Sequence, residues 1–207
     1  MKKVIAFEGL DYSGKSTLIQ EITNKMLKDG LKAPVVFAEP RKDSEEWRAL
    51  RKMIISPNIP KVAQIHCSVG QRVALYQECV IPALKAGEQV ITDRCLLTSM
   101  VYQQDADHDA CAILLSNLQG GRFLERNVVP DVIVYLQTDH ATYLERLGKD
   151  RPETEYVESY ISKPENFERF QKEYKKAIKT LSLSSGVKVI TSNDPDFVYE
   201  ELKRLAL

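Results

Sequence analysis

Nine consecutive residues, Gly9-Leu10-Asp11-Tyr12-Ser13-Gly14-Lys15-Ser16-Thr17, carry the Gly-x-x-x-x-Gly-Lys-Ser/Thr spacing of a phosphate-binding loop. Glycine at Gly9 and Gly14 lets the backbone curl so that its N–H groups converge on phosphate oxygens. Lys15 has the reach to meet the β- and γ-phosphates of a nucleoside triphosphate, and the Ser16 hydroxyl can ligate Mg²⁺. Further along, Asp93-Arg94 follows an apolar run. A carboxylate there can hold a cation and an arginine can fork onto a phosphate. The plainer alternatives are a helix cap for Asp93 and a surface ion pair for Arg94. Arg72 lies amid Val69, Val73, Leu75 and Tyr76, a context that by itself reads as a solvated helix face. Arg146, Lys149 and Arg151 stand in a charged segment with few apolar residues. It reads either as a surface loop or as a lid that brings an arginine to a transferring phosphoryl group.

These groups need elements to position them. Val4-Ile5-Ala6-Phe7 reads as a buried strand, and after the loop Leu18, Ile22, Leu27 and Leu31 recur at near-helical spacing. The helix starting near Lys15 aims its positive end at the loop. Val35–Ala38 reads as a second strand stopped by Glu39-Pro40, and Asp43 or Ser44 as the cap of a helix carrying Trp47, Leu50, Met53 and Ile54. A long helical stretch over 62–86 is kinked or divided at Pro82. Val90-Ile91 forms a third strand, residues 96–126 are largely helical around a polar interruption at 103–109, and Asp131–Leu136 forms a fourth strand. Helices over 139–147, 165–183 and 196–205 surround a fifth strand, Val187–Ile190. Apolar runs alternating with helices predict an α/β fold with a parallel sheet covered on both faces, the ligand site lying beyond the strands' carboxyl ends. Glu8, Glu39, Asp93 and Arg94 all fall at such ends.

Composition narrows the function classes. The 207 residues suit a single domain over 1–207 with a lid segment at about 146–164. Lys+Arg and Asp+Glu both count 29, so the global basic field of a nucleic-acid binder is absent. Cys67, Cys79, Cys95 and Cys111 form no Cys-x-x-Cys pair and no zinc spacing, which reads as reduced thiols in a cytoplasmic protein. The apolar run after Met1-Lys2-Lys3 stops at Glu8, too short for a signal peptide, and no run is long enough to span a membrane.

A family resemblance now emerges. Phe7-Glu8-Gly9-Leu10-Asp11 running into Gly14-Lys15-Ser16-Thr17 resembles the opening of thymidylate kinases. Asp93-Arg94 followed by Thr98-Ser99 and Tyr102-Gln103 is similar to their most specific block. Pro82-Ala83-Leu84, Pro130-Asp131, residues 167–174 and the spacing of Arg72 agree as well. The resemblance implies a three-layer sandwich of the P-loop NTPase type, with a five-stranded parallel sheet, helices on both faces and a lid. It implies transfer of the γ-phosphoryl of ATP to dTMP, and a homodimer. Lys15, Arg94, Arg151 and Asp93 would serve catalysis. Gly9, Asp11, Tyr12, Ser13, Gly14, Lys15, Ser16 and Thr17 would hold ATP, with Ser16 and Asp93 toward Mg²⁺. Asp11 would reach the acceptor sugar, and Arg51 with Arg94 its phosphate. Arg72 would reach the base edge. Glu39, Ser68, Ser99, Tyr102 and Gln103 would complete the pocket. Tyr12 stands where some members carry a loop arginine, and Arg151 fits the members whose arginine lies in the lid.

Three positions depart from that pattern. Arg41-Lys42-Asp43 follows Glu39-Pro40 where the family usually has Gly-Gly-Thr, Cys95 replaces a common tyrosine, and Ser68 stands where a phenylalanine stacks on thymine. A hydroxymethyl group offers no aromatic face, so Ser68 implies looser base selection. A deoxynucleoside kinase, with Glu39 as base toward a 5′-hydroxyl, and an ATP-binding module without turnover are the other readings. The set Arg51, Arg72 and Arg94 favours a monophosphate over a neutral nucleoside.

Overall fold

A computed structural model describes residues 2–147, 149 and 156–207. Its centre is a parallel five-stranded sheet in the order β2-β3-β1-β4-β5. The strands are β1 (Val4–Glu8), β2 (Val35–Ala38), β3 (Val90–Asp93), β4 (Val132–Tyr135) and β5 (Lys188–Thr191). Helices α1 (Lys15–Lys28), α2 (Glu45–Ile55), α3 (Lys61–Leu75), α4 (Ile81–Lys85), α5 (Leu96–Tyr102) and α6 (Ala110–Gly120) precede β4. Helices α7 (His140–Arg146), α8 (Tyr156–Ile161), α9 (Pro164–Ser185) and α10 (Pro195–Leu205) follow it.

Period-two alternation assigns the faces of β1. Ile5 and Phe7 pack with Leu18, Ile22 and Met26 of α1 and Val198 and Leu202 of α10. Ala6 points the other way, into a core shared with α3, α5, α6 and α9. All of β1 and β4 is buried, as apolar runs in a doubly covered sheet should be. The edge strands β2 and β5 differ: Val36 and Lys188 are exposed, since each lacks a neighbour on one side.

Several expectations are corrected. Helix α1 ends at Lys28, before Leu31, and Leu27 sits on its outer face, so both leucines lie on the surface rather than in the core. The long stretch over 62–86 is divided before Pro82, not at it. Residues 76–80 form a wide turn in which Ile81 N–H donates to Tyr76 O, five residues back. Pro82 then sits in the first turn of α4, where its missing N–H costs nothing. Asp93 does not cap α5; Cys95 does, its Sγ accepting from Leu97 N–H. Ser44 caps α2 by accepting from Trp47 N–H.

The ladder continues past the strand ends. Arg94 N–H donates to Phe7 O (2.9 Å), Glu39 N–H to Asp93 O (2.9 Å) and Leu136 N–H to Glu8 O (2.8 Å). These bonds carry four chain segments, distant in sequence, to one edge of the sheet. Among the described residues no helix is long and apolar enough to cross a membrane.

Candidate active site

The phosphate-binding loop joins β1 to α1. Gly9 has φ 146°, and a Cβ there would lie 2.5 Å from Leu136 O. Only glycine meets both demands. Gly14 (φ 95°) turns the chain into α1, and Tyr12 (φ 62°) holds a left-handed backbone without being glycine, strain of the sort that marks functional loops. A cleft of about 1340 Å³ opens over this loop. Ser16 and Thr17 are exposed toward it. Arg146 crosses from α7 to donate to Tyr12 O (2.9 Å). Lys172 and Lys175 of α9 complete a cationic wall.

Lys15 is 8% exposed and donates to Gly9 O (3.1 Å) and Leu10 O (2.8 Å). Burial, then the neighbouring charge of Arg94, pulls its ammonium down to about 8. An ammonium held in this way needs an anion, and the γ-phosphate position above the loop would supply one.

Arg94 follows β3 with φ 75°. Its guanidinium pairs with Asp11 (2.7 Å) and donates to Gly9 O (3.1 Å) and Thr98 Oγ1 (3.1 Å). Its Cζ stands 5.8 Å from the Tyr102 ring centroid. The whole turn hangs on Glu8, a fully buried carboxylate. It accepts from Cys95 N–H (2.8 Å), Thr98 N–H (3.0 Å), the Thr98 hydroxyl (2.8 Å) and Tyr174 OH (3.3 Å). The sequence reading placed Glu8 at a strand end but did not see this anchoring role, nor Tyr174 as its partner.

A second, smaller pocket of about 140 Å³ adjoins the first. Asp11, Asp93 and Arg94 line both, so the two share a wall of one acid pair and one arginine. Arg51, Ser68, Arg72, Ser99, Tyr102 and Gln103 line the smaller one together with Glu39. The structure therefore brings together every expected site residue that falls within the described chain; Arg151 lies outside the described residues. Of the site residues, Lys15 lines only the larger cleft and Arg72 only the smaller pocket, while Asp11, Asp93 and Arg94 line both.

Arg72 is not on a solvated face. It is 4% exposed, its Nε donates to Glu39 Oε2 (2.6 Å), its Nη2 to Ser99 Oγ (3.1 Å) and its Nη1 to Asn117 Oδ1. Burial pushes the Glu39 carboxyl up and Arg72 pulls it back. Ser99 Oγ in turn donates to Ser68 Oγ (3.1 Å), and Ser68 Oγ to Ile65 O (3.0 Å). Asn117 was missed. Its signal was a polar residue on the face of α6 that Ile113 and Leu114 mark as buried.

The donor set suits Mg²⁺ and a polyphosphate. Asp93 Oδ1 is buried without a hydrogen-bond partner among the described residues, and Asp93 and Ser16 line the same cleft. One carboxylate and one hydroxyl are the few protein oxygens that Mg²⁺ takes when substrate phosphates and water supply the rest. Among the described residues no group of three or more His, Cys, Asp or Glu forms a metal cage, which fits that mode and not an all-protein site.

The comparisons with known proteins speak to the family and the fold. The thymidylate kinase from Leptospira interrogans (strain Fiocruz L1-130) is 33% identical over 157 residues, covering 72% of this chain and 73% of that one. The thymidylate kinase from Neorickettsia sennetsu is 31% identical over 172 residues, covering 82% and 74%. The crystal structure of thymidylate kinase from Ehrlichia chaffeensis superposes with a TM-score of 0.65 over 98% of this chain and 97% of that one; at 17% identity this likeness speaks for the fold. The thymidylate kinase family profile matches residues 7–196, nearly the length over which strands, loop and pockets have just been described, and by that match this chain belongs to the thymidylate kinase family.

Proposed function

We propose that this chain transfers the γ-phosphoryl group of ATP to dTMP, giving dTDP and ADP. One observation carries the reading: Asp11, Asp93 and Arg94 form a common wall between the phosphate-loop cleft and the smaller polar pocket. A donor in the first and an acceptor in the second would present their phosphates to each other across Arg94. The bond from the γ-phosphorus to the β,γ-bridging oxygen breaks, and a bond to an acceptor phosphate oxygen forms. Lys15 and the loop N–H groups hold the donor phosphates, and Arg94 holds both phosphates in line. Arg51 supplies a second cation at the acceptor phosphate, a charge match that a neutral nucleoside does not offer. Ser16 and Asp93 would hold Mg²⁺, whose contribution is to neutralise charge on the β- and γ-oxygens. Arg151 would close over the transferred group from a lid at about 146–164, excluding water. A single domain, a homodimer and a cytoplasmic location accompany this reading, on the family's precedent.

The test is coupled ADP release with ATP and Mg²⁺ across the deoxynucleoside monophosphates and thymidine. Turnover of dTMP far above thymidine, abolished by chelation of Mg²⁺, is expected. Thymidine turning over faster than dTMP refutes it.

A further inference from the structure

Arg41 opens the segment that departs from the family pattern between β2 and α2. Pro40 and Lys42, on either side of it, line the smaller pocket, whereas the Arg41 side chain goes elsewhere and is 9% exposed. Asp43 takes it in a fork, Oδ1 accepting from Nε (3.1 Å) and Oδ2 from Nη2 (2.7 Å). Glu78 Oε2 accepts from Nη1 (2.6 Å). Glu78 belongs to the wide turn 76–80 between α3 and α4, so this bond ties the segment to the body of the protein. Trp47, in the first turn of α2, covers the guanidinium, whose Cζ stands 4.5 Å from the ring centroid. The main chain is held too: Arg41 O accepts from Gln71 Nε2 of α3 (3.3 Å).

Helix α2 needs such a post. Among its described residues Ile54 alone, near the carboxyl end, is buried, so apolar packing does little for the amino end. What holds that end is polar. Ser44 caps it, Arg48 Nη1 donates back to Lys42 O (3.0 Å), and Trp47 rests on Arg41. A forked carboxylate and a ring face are the two contacts a guanidinium serves best, and Arg41 makes both. A short helix moves as a rod, so a post at one end sets where the other end lies. The other end carries Arg51, Ile54 and Ile55 into the smaller pocket.

Building on the reading of that pocket as the acceptor site, we propose that Arg41 is a positioning residue for the acceptor phosphate. Clamped by Asp43, Glu78 and Trp47, it seats α2 so that Arg51 already stands at the pocket when the acceptor arrives. It touches no nucleotide itself.

The experiment is steady-state ADP release on the full chain, with dTMP and ATP varied in turn. The proteins are the native chain, Arg41→Ala, Glu78→Gln and the double variant. Arg41→Ala strands no buried charge, since the Asp43 and Glu78 side chains are 61% and 54% exposed. Its KM for dTMP should rise about tenfold, because apparent affinity falls with the fraction of molecules whose α2 is seated. Its kcat at saturating dTMP and its KM for ATP should stay within about twofold, since bound acceptor selects the seated helix. Glu78→Gln keeps the Asp43 fork and should raise KM for dTMP by only about threefold, the worth of a half-exposed ion pair. The double variant should match Arg41→Ala, because both lose the same contact. Trp47 is the only tryptophan of the chain. In Arg41→Ala its emission should shift to the red without nucleotide and return on saturation with dTMP.

A role confined to stability lowers the unfolding midpoint and leaves KM for dTMP unmoved. That result overturns the proposal and leaves the proposed function standing, as does a loss shared equally by dTMP and ATP. Where Arg41→Ala fails to fold, an unchanged KM for dTMP in Glu78→Gln overturns it alone. Native protein that prefers another monophosphate corrects the proposed function, and the same split is then read on that acceptor. Thymidine preferred over every monophosphate overturns both.

Discussion

Replacing Lys15 with methionine should abolish turnover and yet stabilise the ligand-free fold at neutral pH. The side chain is buried, and its ammonium titrates at about 8 instead of 10.5. That difference corresponds to about 3 kcal/mol by which the folded state disfavours the charge. The unfolded chain keeps the proton to 10.5, so between about pH 8 and 10.5 the unfolded state binds more protons and native stability rises with pH. Below about pH 8 the penalty is present in full. Methionine escapes it and keeps most of the apolar stem. The substitution removes two hydrogen bonds, but neither carbonyl is orphaned. Gly9 O still accepts from Arg94 (3.1 Å), and Leu10 O from Ser13 N–H (3.3 Å). At about 1 kcal/mol each, their loss leaves a net gain of about 1 kcal/mol at pH 7. At pH 10 and above, where the native penalty is nearly gone, the variant should be the less stable of the two. Urea unfolding of both proteins at pH 7 and pH 10.5, followed by circular dichroism, reads the sign change. A variant more than about 1 kcal/mol less stable at pH 7, or a difference that ignores pH, refutes the reasoning.

Arg151→Ala should lower kcat by about 10²-fold or more, the usual loss when a positioned transition-state charge is removed; a change under twofold in the same ADP-release assay transfers the role to Arg146, which already touches Tyr12 O. Arg72→Leu should cost about 3–5 kcal/mol in urea unfolding, because it strands the Glu39 carboxylate inside the protein. A cost under about 1 kcal/mol would mean that Glu39 simply takes up a proton there. Ser68→Phe should lower KM for dTMP by restoring a stacking face, and an unchanged KM measured across the dTMP concentration series would place that face elsewhere in the pocket.

How far the sequence could be read depended on whether the decisive neighbours were local. Gly9, Gly14, Lys15 and Ser16 sit in one loop, and the motif states their spacing outright, so the loop, its strand and its helix were legible. The parallel sheet was legible from strands too apolar for a solvated face. Arg72 was not. Gln64, Ser68, Gln71 and Arg72 recur at i, i+4, i+7 and i+8 along α3, the same polar stripe that a solvent face shows, yet all four are buried. Their partners come from elsewhere: Glu39 is 33 residues before Arg72 and Asn117 is 45 after it. Spacing along one helix carries no information about partners so distant. The edge strands misread for the related reason that neighbour count, not hydrophobicity, sets their exposure.

The same distance explains why the catalytic turn is built as it is. Arg94 must stand between two pockets, and it does so with a backbone conformation that a non-glycine residue adopts at a cost of about 1–3 kcal/mol. Arg94 gains one bond within the turn, to Thr98 Oγ1 (3.1 Å). Glu8 holds the turn from the neighbouring strand, accepting from Cys95 N–H and Thr98 N–H, which follow Arg94, and from Tyr174 of α9. The carboxylate clamps the chain just after the strained residue and joins it to the phosphate loop through Gly9 N–H (3.3 Å). The guanidinium is thereby fixed before either nucleotide arrives. An arginine already ordered gives its binding energy to the phosphates instead of losing part of it to its own immobilisation. A strained turn held from outside is thus what keeps one arginine in the wall of both pockets.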